Sequence, residues 1–75
     1  GLVIAIGAAG NVISGAKRNT SVSFSAGSYT LKNADGTTVA EFTLSSTHKG
    51  YMIYIGTSGT YTLYCDNNSV LNFSF

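Results

Sequence analysis

The sequence YMIYIGTSGTYTLYC, residues 51–65, places two runs of β-branched and aromatic residues on either side of four small residues. This pattern is typical of two antiparallel strands joined by a short glycine-containing loop. Side chains alternate along a strand, and one face of this pair is apolar. Its members are Tyr51, Ile53, Ile55, Tyr61, Leu63 and Cys65. Met52, Tyr54 and Tyr64 make the other face semi-apolar, so we expect a hairpin over residues 51–65 that packs against a neighbour on both faces.

A second hairpin is predicted over residues 28–44. The pair Asp35-Gly36 separates two alternating segments, and Asp-Gly is a strong turn signal because both residues tolerate positive φ. The alternation places five apolar side chains on one face of this hairpin: Tyr29, Leu31, Ala40, Phe42 and Leu44.

Two further strands complete the pattern. Residues 21–25 alternate with Val22 and Phe24 inward, and residues 69–75 close the chain after a turn at Asp66–Asn68. Strands recur at about eight to twelve residues without a helical period. The sequence therefore predicts a single all-β domain over residues 1–75, a small antiparallel β-sandwich or β-roll of about six or seven strands.

Residues 1–7, GLVIAIG, form a continuous apolar run bounded by glycines. The run is too short for a membrane-spanning helix, which needs about 20 apolar residues. We interpret it as a fully buried strand, inserted either between two layers or between two subunits, where it would act as a donor strand. A membrane anchor is the alternative. Residues 8–20, with the basic pair Lys17-Arg18 in a solvated turn, predict a flexible loop.

A chain of 75 residues buries only a modest core, so small domains often rely on disulfides, metals or oligomerisation. The single cysteine, Cys65, excludes an intramolecular disulfide. Its place on the apolar face indicates a small core residue, with an intermolecular bridge as the alternative. No His/Cys/carboxylate spacing predicts a structural zinc site. Of these three means of stabilising a small domain, only oligomerisation remains.

Charged residues make up 9% of the chain, whereas an average domain has about a quarter. Ten serines and nine threonines replace them, a composition common in secreted and surface-fibre proteins. The net charge of +1 gives no electrostatic footprint for nucleic acid or an anionic membrane. Proline is absent and lysine is scarce, so two devices that block edge-strand pairing are missing.

The sequence offers little for catalysis. A Cys-His-Asp set could be assembled from Cys65, His48 and Asp66, but His48 lies in a Ser/Thr-rich connector and Cys65 faces the core. The carboxylates are too scattered to form an acid/base pair or a calcium cage. A weak oxygen-ligand site at Asp66–Asn68 is the alternative to a plain Asx turn. We expect no enzyme, cofactor or metal.

Tyrosine is the one enriched residue type that could bind a partner, with five in the chain. Tyr54 and Tyr64, on the semi-apolar face, could form a protein interface, stack on sugar rings, or simply cover a β surface. Three Asn-x-Ser/Thr sequons, at Asn19, Asn67 and Asn72, are acceptor sites only if the source glycosylates its proteins.

Most of the chain resembles the C-terminal segment of bacterial secreted proteins that contain a carbohydrate-binding domain. The resemblance is carried by residues 1–10, 21–22, 31–42, 51–55 and 59–64, including D-G-x-x-V-A-x-F at 35–42 and G-T-Y-T-L-Y at 59–64. Members of that family are calcium-binding right-handed parallel β-helices. Their long repeat region, which would carry the calcium and sugar sites, has no counterpart here, so no site residue is transferred. The resemblance implies an extracellular bacterial setting and a β-unit that stacks on other β-structure.

These features favour a non-enzymatic extracellular module that self-assembles into a surface polymer or filament, because contacts between different surfaces generate open polymers. Eight residues are predicted at its interface: Leu2, Val3, Ile4, Ile6, Tyr54, Tyr64, Phe73 and Phe75. The alternative is a carbohydrate-binding module that uses exposed tyrosines. The expected partners are therefore copies of the chain itself or a polysaccharide.

Overall fold

A computed structural model describes residues 1–7 and 12–75. These residues form seven strands, all paired antiparallel, and no helix. The described part of the chain therefore contains no helix that could cross a membrane. The strands are β1 (Leu2–Ile6), β2 (Lys17–Phe24), β3 (Gly27–Asn33), β4 (Thr38–Leu44), β5 (His48–Ile55), β6 (Thr60–Cys65) and β7 (Asn68–Ser74). The predicted small antiparallel β-sandwich is confirmed.

The strands form two sheets, one with the order β1-β5-β2 and the other with the order β4-β3-β6-β7. The inward faces of the sheets form one apolar core, in which Leu31, Ile53 and Leu63 are fully buried. Aromatic rings surround this centre, and Phe24 meets Tyr29 and Tyr51 edge-on at centroid distances of 6.1 and 5.8 Å. Each inward side chain comes from strict alternation along its strand, as the sequence predicts.

The predicted hairpin over residues 28–44 is confirmed as the pair β3–β4, with Tyr29 opposite Phe42 and Leu31 opposite Ala40. Asn33 organises its turn, because its side-chain oxygen accepts hydrogen bonds from the backbone N–H groups of residues 35 and 37, both at 3.0 Å. Gly36 follows with φ of 80°, the conformation that favours glycine.

The predicted hairpin over residues 51–65 is wrong, because β5 and β6 belong to different sheets. Residues 56–59 cross between the sheets, so the two apolar faces meet across the core instead of lying side by side. The hairpin partner of β6 is β7. The predicted turn between them contains Asp66 and Asn67 with φ of 48° and 70°. Two-residue turns with positive φ match the twist of paired strands, and this geometry favours β7 over β5 as the neighbour of β6.

The N-terminal strand is not fully buried within one chain. It lies at the edge of its sheet, and Leu2 and Val3 are each 38% exposed.

The predicted loop over residues 8–20 is too long, since β2 begins at Lys17 and pairs with β5. Residues 8–11 lie outside the described residues. An edge strand tolerates Lys17 and Arg18 because their side chains remain in solvent.

Gly50 sits where the register between β2 and β5 shifts. Its φ is 91°, and a Cβ atom there would lie 3.3 Å from both the carbonyl oxygen of Gly7 and the Cα atom of Thr20. The residue is buried, so neither contact can relax into solvent. Glycine at this position lets β1 and β2 approach β5 from both sides.

We expect Gly50→Ala to lower the free energy of unfolding by about 1–3 kcal/mol through backbone strain, and further through these contacts. Gly36→Ala is the matched control, because φ is 80° there but the space around it is open. Urea denaturation of both variants measures the difference. Equal losses would show that the crowding around Gly50 has no energetic weight.

Candidate functional site

The outer edge of β1 presents backbone groups that no described strand pairs with. Gly7 donates its N–H to the carbonyl of Gly50 at 2.9 Å, and Gly1 accepts from the N–H of Gly56 at 2.8 Å. Backbone groups alternate in direction along an antiparallel strand, so the odd residues of β1 face β5. The N–H and C=O groups of Leu2, Ile4 and Ile6 therefore point outward, and no described strand pairs with them. We call this side of β1 the β1 edge.

An apolar groove opens beside the β1 edge, between β1 and β4, which is the edge strand of the other sheet. It has a volume of about 450 Å³. Residues of two strands line it: Leu2, Ile4 and Ile6 from β1, and Ala40, Glu41, Phe42, Thr43 and Leu44 from β4. The ring of Phe42 stacks on Tyr29 at 5.1 Å, which fixes the floor of this β1–β4 groove to the core.

The two edges of the three-stranded sheet differ in how they are protected. The β2 edge carries Lys17 and Arg18 and has an irregular register with β5. The β1 edge has neither charge nor proline, and its register with β5 is unbroken. Charge, proline and bulges are the devices that normally prevent edge-to-edge pairing. Within the described residues, the β1 edge therefore carries none of these devices.

The structure brings three predicted interface residues together, because Leu2, Ile4 and Ile6 all line the β1–β4 groove. Val3 points to the opposite face of the same strand, where it lies across from Tyr54. Tyr54 is half-buried, and a Cβ atom at Gly15 would lie 3.7 Å from its ring.

Three predicted interface residues lie elsewhere. Tyr64 is on the outer face of the four-stranded sheet. The prediction that Phe73 lies at the interface is wrong. Its side chain is only 5% exposed, because alternation along β7 points it into the core. Phe75 is half-buried, with its ring 6.2 Å from that of Tyr61 and 5.5 Å from the ammonium of Lys17. Phe73 is therefore closed to a partner, and Phe75 is part of the packing at one end of the core.

The sequence did not identify Phe42 and Leu44 as groove residues. Alternation placed them correctly on the apolar face of their hairpin, and both are partly buried against the core. Alternation carries no information about which strand lies at the edge of a sheet. Phe42 and Leu44 line the groove only because β4 is an edge strand.

A second, polar groove of about 400 Å³ lies on the outer face of the four-stranded sheet. It is lined by Thr30, Lys32, Thr38, Glu41, Tyr64 and Asn67. The ammonium of Lys32 lies 5.5 Å from the centroid of the Tyr64 ring, a cation–π distance. The groove thus combines one aromatic ring with amide, hydroxyl and charged groups.

The residues considered for catalysis do not form a site. His48 contacts the hydroxyl of Ser46 at 3.5 Å, whereas the Cys65 thiol contacts the carboxylate of Asp66 at 3.9 Å. His48 is in β5 and Cys65 is in β6, and these strands belong to different sheets. Asp66 also accepts a hydrogen bond from the N–H of Ser28 at 3.1 Å, which ties its turn to β3. Among residues 1–7 and 12–75, no group of three or more His, Cys, Asp or Glu could hold a metal ion.

The three sequon asparagines are all exposed. Asn19 accepts a hydrogen bond from the N–H of Ser21 at 2.7 Å, and Asn72 accepts one from the hydroxyl of Thr62 at 2.9 Å. Asn67 occupies the turn between β6 and β7.

Comparison of the chain with protein-family models, with curated proteins and with solved structures finds no match.

The Tyr29 hydroxyl is hydrogen-bonded within the core beneath the β1–β4 groove. It donates a hydrogen bond to the carbonyl of Ser25 at 2.6 Å, and its side chain is buried. Burial, reinforced by the neighbouring Cys65 thiol, raises the pKa of Tyr29 above its ordinary value of 10.0. The unfolded chain therefore releases this proton first, so stability from Tyr29 is intact below about pH 10 and falls as the pH rises toward the folded-state pKa.

We expect Tyr29→Phe to lose about 1 kcal/mol at neutral pH with the hydrogen bond, and to lose less stability than the wild type above pH 10. Urea denaturation across pH 7–11 measures both effects. Tyr61→Phe is the control for bond loss, since its hydroxyl donates to the carbonyl of Thr57 at the same 2.6 Å. An alkaline loss in Tyr29→Phe as steep as in the wild type would refute the role of this phenol.

Proposed function

We propose that this chain is a non-enzymatic structural module that acts outside a bacterial cell and self-assembles into a surface polymer through the β1 edge. The observation that carries the proposal is the juxtaposition of outward-pointing backbone groups at Leu2, Ile4 and Ile6 with an apolar groove. A strand added there would gain main-chain hydrogen bonds and pockets for alternate side chains, the two components of recognition by strand addition.

The energetics of a small domain favour such a contact. Among the described residues the core cluster holds eight buried side chains, whereas Leu2, Val3 and Val70 are large apolar residues that remain exposed at 38%, 38% and 45%. Burying apolar surface gains about 25 cal/mol for each Å² removed from water. Association would therefore add burial that one chain cannot supply.

Growth beyond a pair needs a second contact surface on each copy. The β7 edge of the four-stranded sheet, where Val70 is exposed, is the candidate for that contact. When each copy has two different contact surfaces, every pair formed through one surface can add further copies through the other, which gives an open polymer. The extracellular setting is supported by the low charge, the high Ser/Thr content and the resemblance described above.

Ile4→Lys and Leu2→Lys should each reduce assembly at least tenfold, because a charge at the β1 edge opposes strand pairing. Val12→Lys is the matched control, since Val12 is 63% exposed and lies outside the β1–β4 groove. Sedimentation velocity measures particle size, and far-UV circular dichroism verifies folding. Folded Leu2→Lys that assembles as fully as Val12→Lys would exclude the β1 edge as the contact.

The second candidate function is carbohydrate binding, favoured by the polar groove that contains Tyr64. A tyrosine ring offers a flat apolar body with a polar tip, and the surrounding hydroxyl, amide and carboxylate groups suit sugar hydroxyls. The groove lies on the outer face of the four-stranded sheet and shares only Glu41 with the lining of the β1–β4 groove.

We expect Tyr64→Ala to weaken any binding to insoluble polysaccharide at least tenfold, because the stacking ring would be lost. Tyr54→Ala, on the other sheet, is the control. Pull-down of the chain with cellulose and with pectin measures retention. Equal retention of both variants would show that the Tyr64 groove is not a sugar site.

A further inference from the structure

We propose that the β1 edge pairs with the β1 edge of a second copy, antiparallel and about a twofold axis that passes between the two Ile4 residues. This inference rests on the proposed function and specifies its partner, strand direction and register. The union would join the two three-stranded sheets into one continuous sheet of six strands.

The backbone of β1 is self-complementary in this register. The outward groups belong to residues 2, 4 and 6, which are spaced symmetrically about Ile4. Antiparallel pairing centred there places Leu2 opposite Ile6 of the second copy and Ile4 opposite Ile4. The outward N–H and C=O groups of each strand then face those of the other, as an antiparallel ladder requires.

The side chains are self-complementary as well. Residues directly opposite each other in a sheet project to the same face. Leu2, Ile4 and Ile6 of the second copy would therefore project between the sheets, over the β1–β4 groove and toward Phe42 and Leu44. On the other face, Val3 would lie against Ala5 of the second copy. Every cross-strand pair is apolar.

Charge distinguishes the two edges of the three-stranded sheet as partners for the β1 edge. The β2 edge would bring Lys17 and Arg18 to an apolar surface that offers them no acidic partner except the exposed Glu41 of β4. Its register with β5 is also interrupted between Asn19 and Ser23, which spoils a continuous ladder. The β1 edge of the second copy carries neither obstacle.

The area of one side of the molecule reaches the lower limit for a specific contact. The molecule measures 29 Å in two dimensions and 17 Å in the third. One side of 29 by 17 Å, counted on both copies, corresponds to about 1,000 Å², which is the lower limit for a specific interface. A contact of this size is reversible, as a building step of a polymer should be.

Disulfide trapping tests the register, in a Cys65→Ser background that removes the native thiol. In a hydrogen-bonded antiparallel pair the opposing Cα atoms are about 5.5 Å apart, a separation that a disulfide spans. Ile4→Cys should therefore form a covalent dimer under mild oxidation. Leu2→Cys should not, because the two copies of residue 2 would be about 14 Å apart. A mixture of Leu2→Cys and Ile6→Cys should cross-link with each other.

The outcomes separate this inference from the proposed function. If particles still sediment as polymers but Ile4→Cys does not cross-link, or if Leu2→Cys cross-links to itself as readily, the register is wrong and self-assembly stands. If the folded Cys65→Ser and wild-type chains both sediment only as monomers at all concentrations, the inference and the proposed function both fail.

Discussion

The structure depends on the central position of β5 in its sheet. Among the described residues, β1 and β2 pair with no strand other than β5, and Ile53 at its middle is fully buried against the opposite sheet. Gly50 makes this arrangement possible, because its φ of 91° and missing side chain leave room for the backbones of residues 7 and 20. With β5 occupied on both sides, β1 becomes an edge strand, and no strand in residues 1–7 and 12–75 pairs with its other side.

The open β1 edge and the β1–β4 groove are two results of the same topology. The sheets end on this side in β1 and β4, and no described strand closes the gap between them. Water can satisfy the outward backbone groups, so the isolated chain tolerates the edge. Water does not stabilise the half-buried side chains of Ile4, Ile6 and Phe42 in the same way, because apolar surface gains free energy only when it is removed from water. The driving force for association is therefore the groove, and the hydrogen-bond ladder sets its direction and register.

Alternation along the sequence was enough to assign faces but not neighbours. It placed Ile53, Ile55, Tyr61 and Leu63 on an apolar face, and all four are buried. It also located the hairpin over residues 28–44, because Asp35-Gly36 is a local signal. The hairpin over residues 51–65 was wrong because a four-residue glycine loop joins strands within a sheet or between sheets equally well. The groove could not be predicted either, since Phe42 becomes accessible only through the long-range order of the strands.

Amide hydrogen exchange as a function of protein concentration tests the role of the β1 edge most directly. In the dilute chain, the N–H groups of Ile4 and Ile6 point to solvent and should exchange rapidly, whereas those of Val3 and Ala5 point to β5 and should be protected. As concentration rises, protection should appear at Ile4 and Ile6 together with large particles in sedimentation. Large particles that form while the Ile4 amide stays unprotected would contradict assembly through β1.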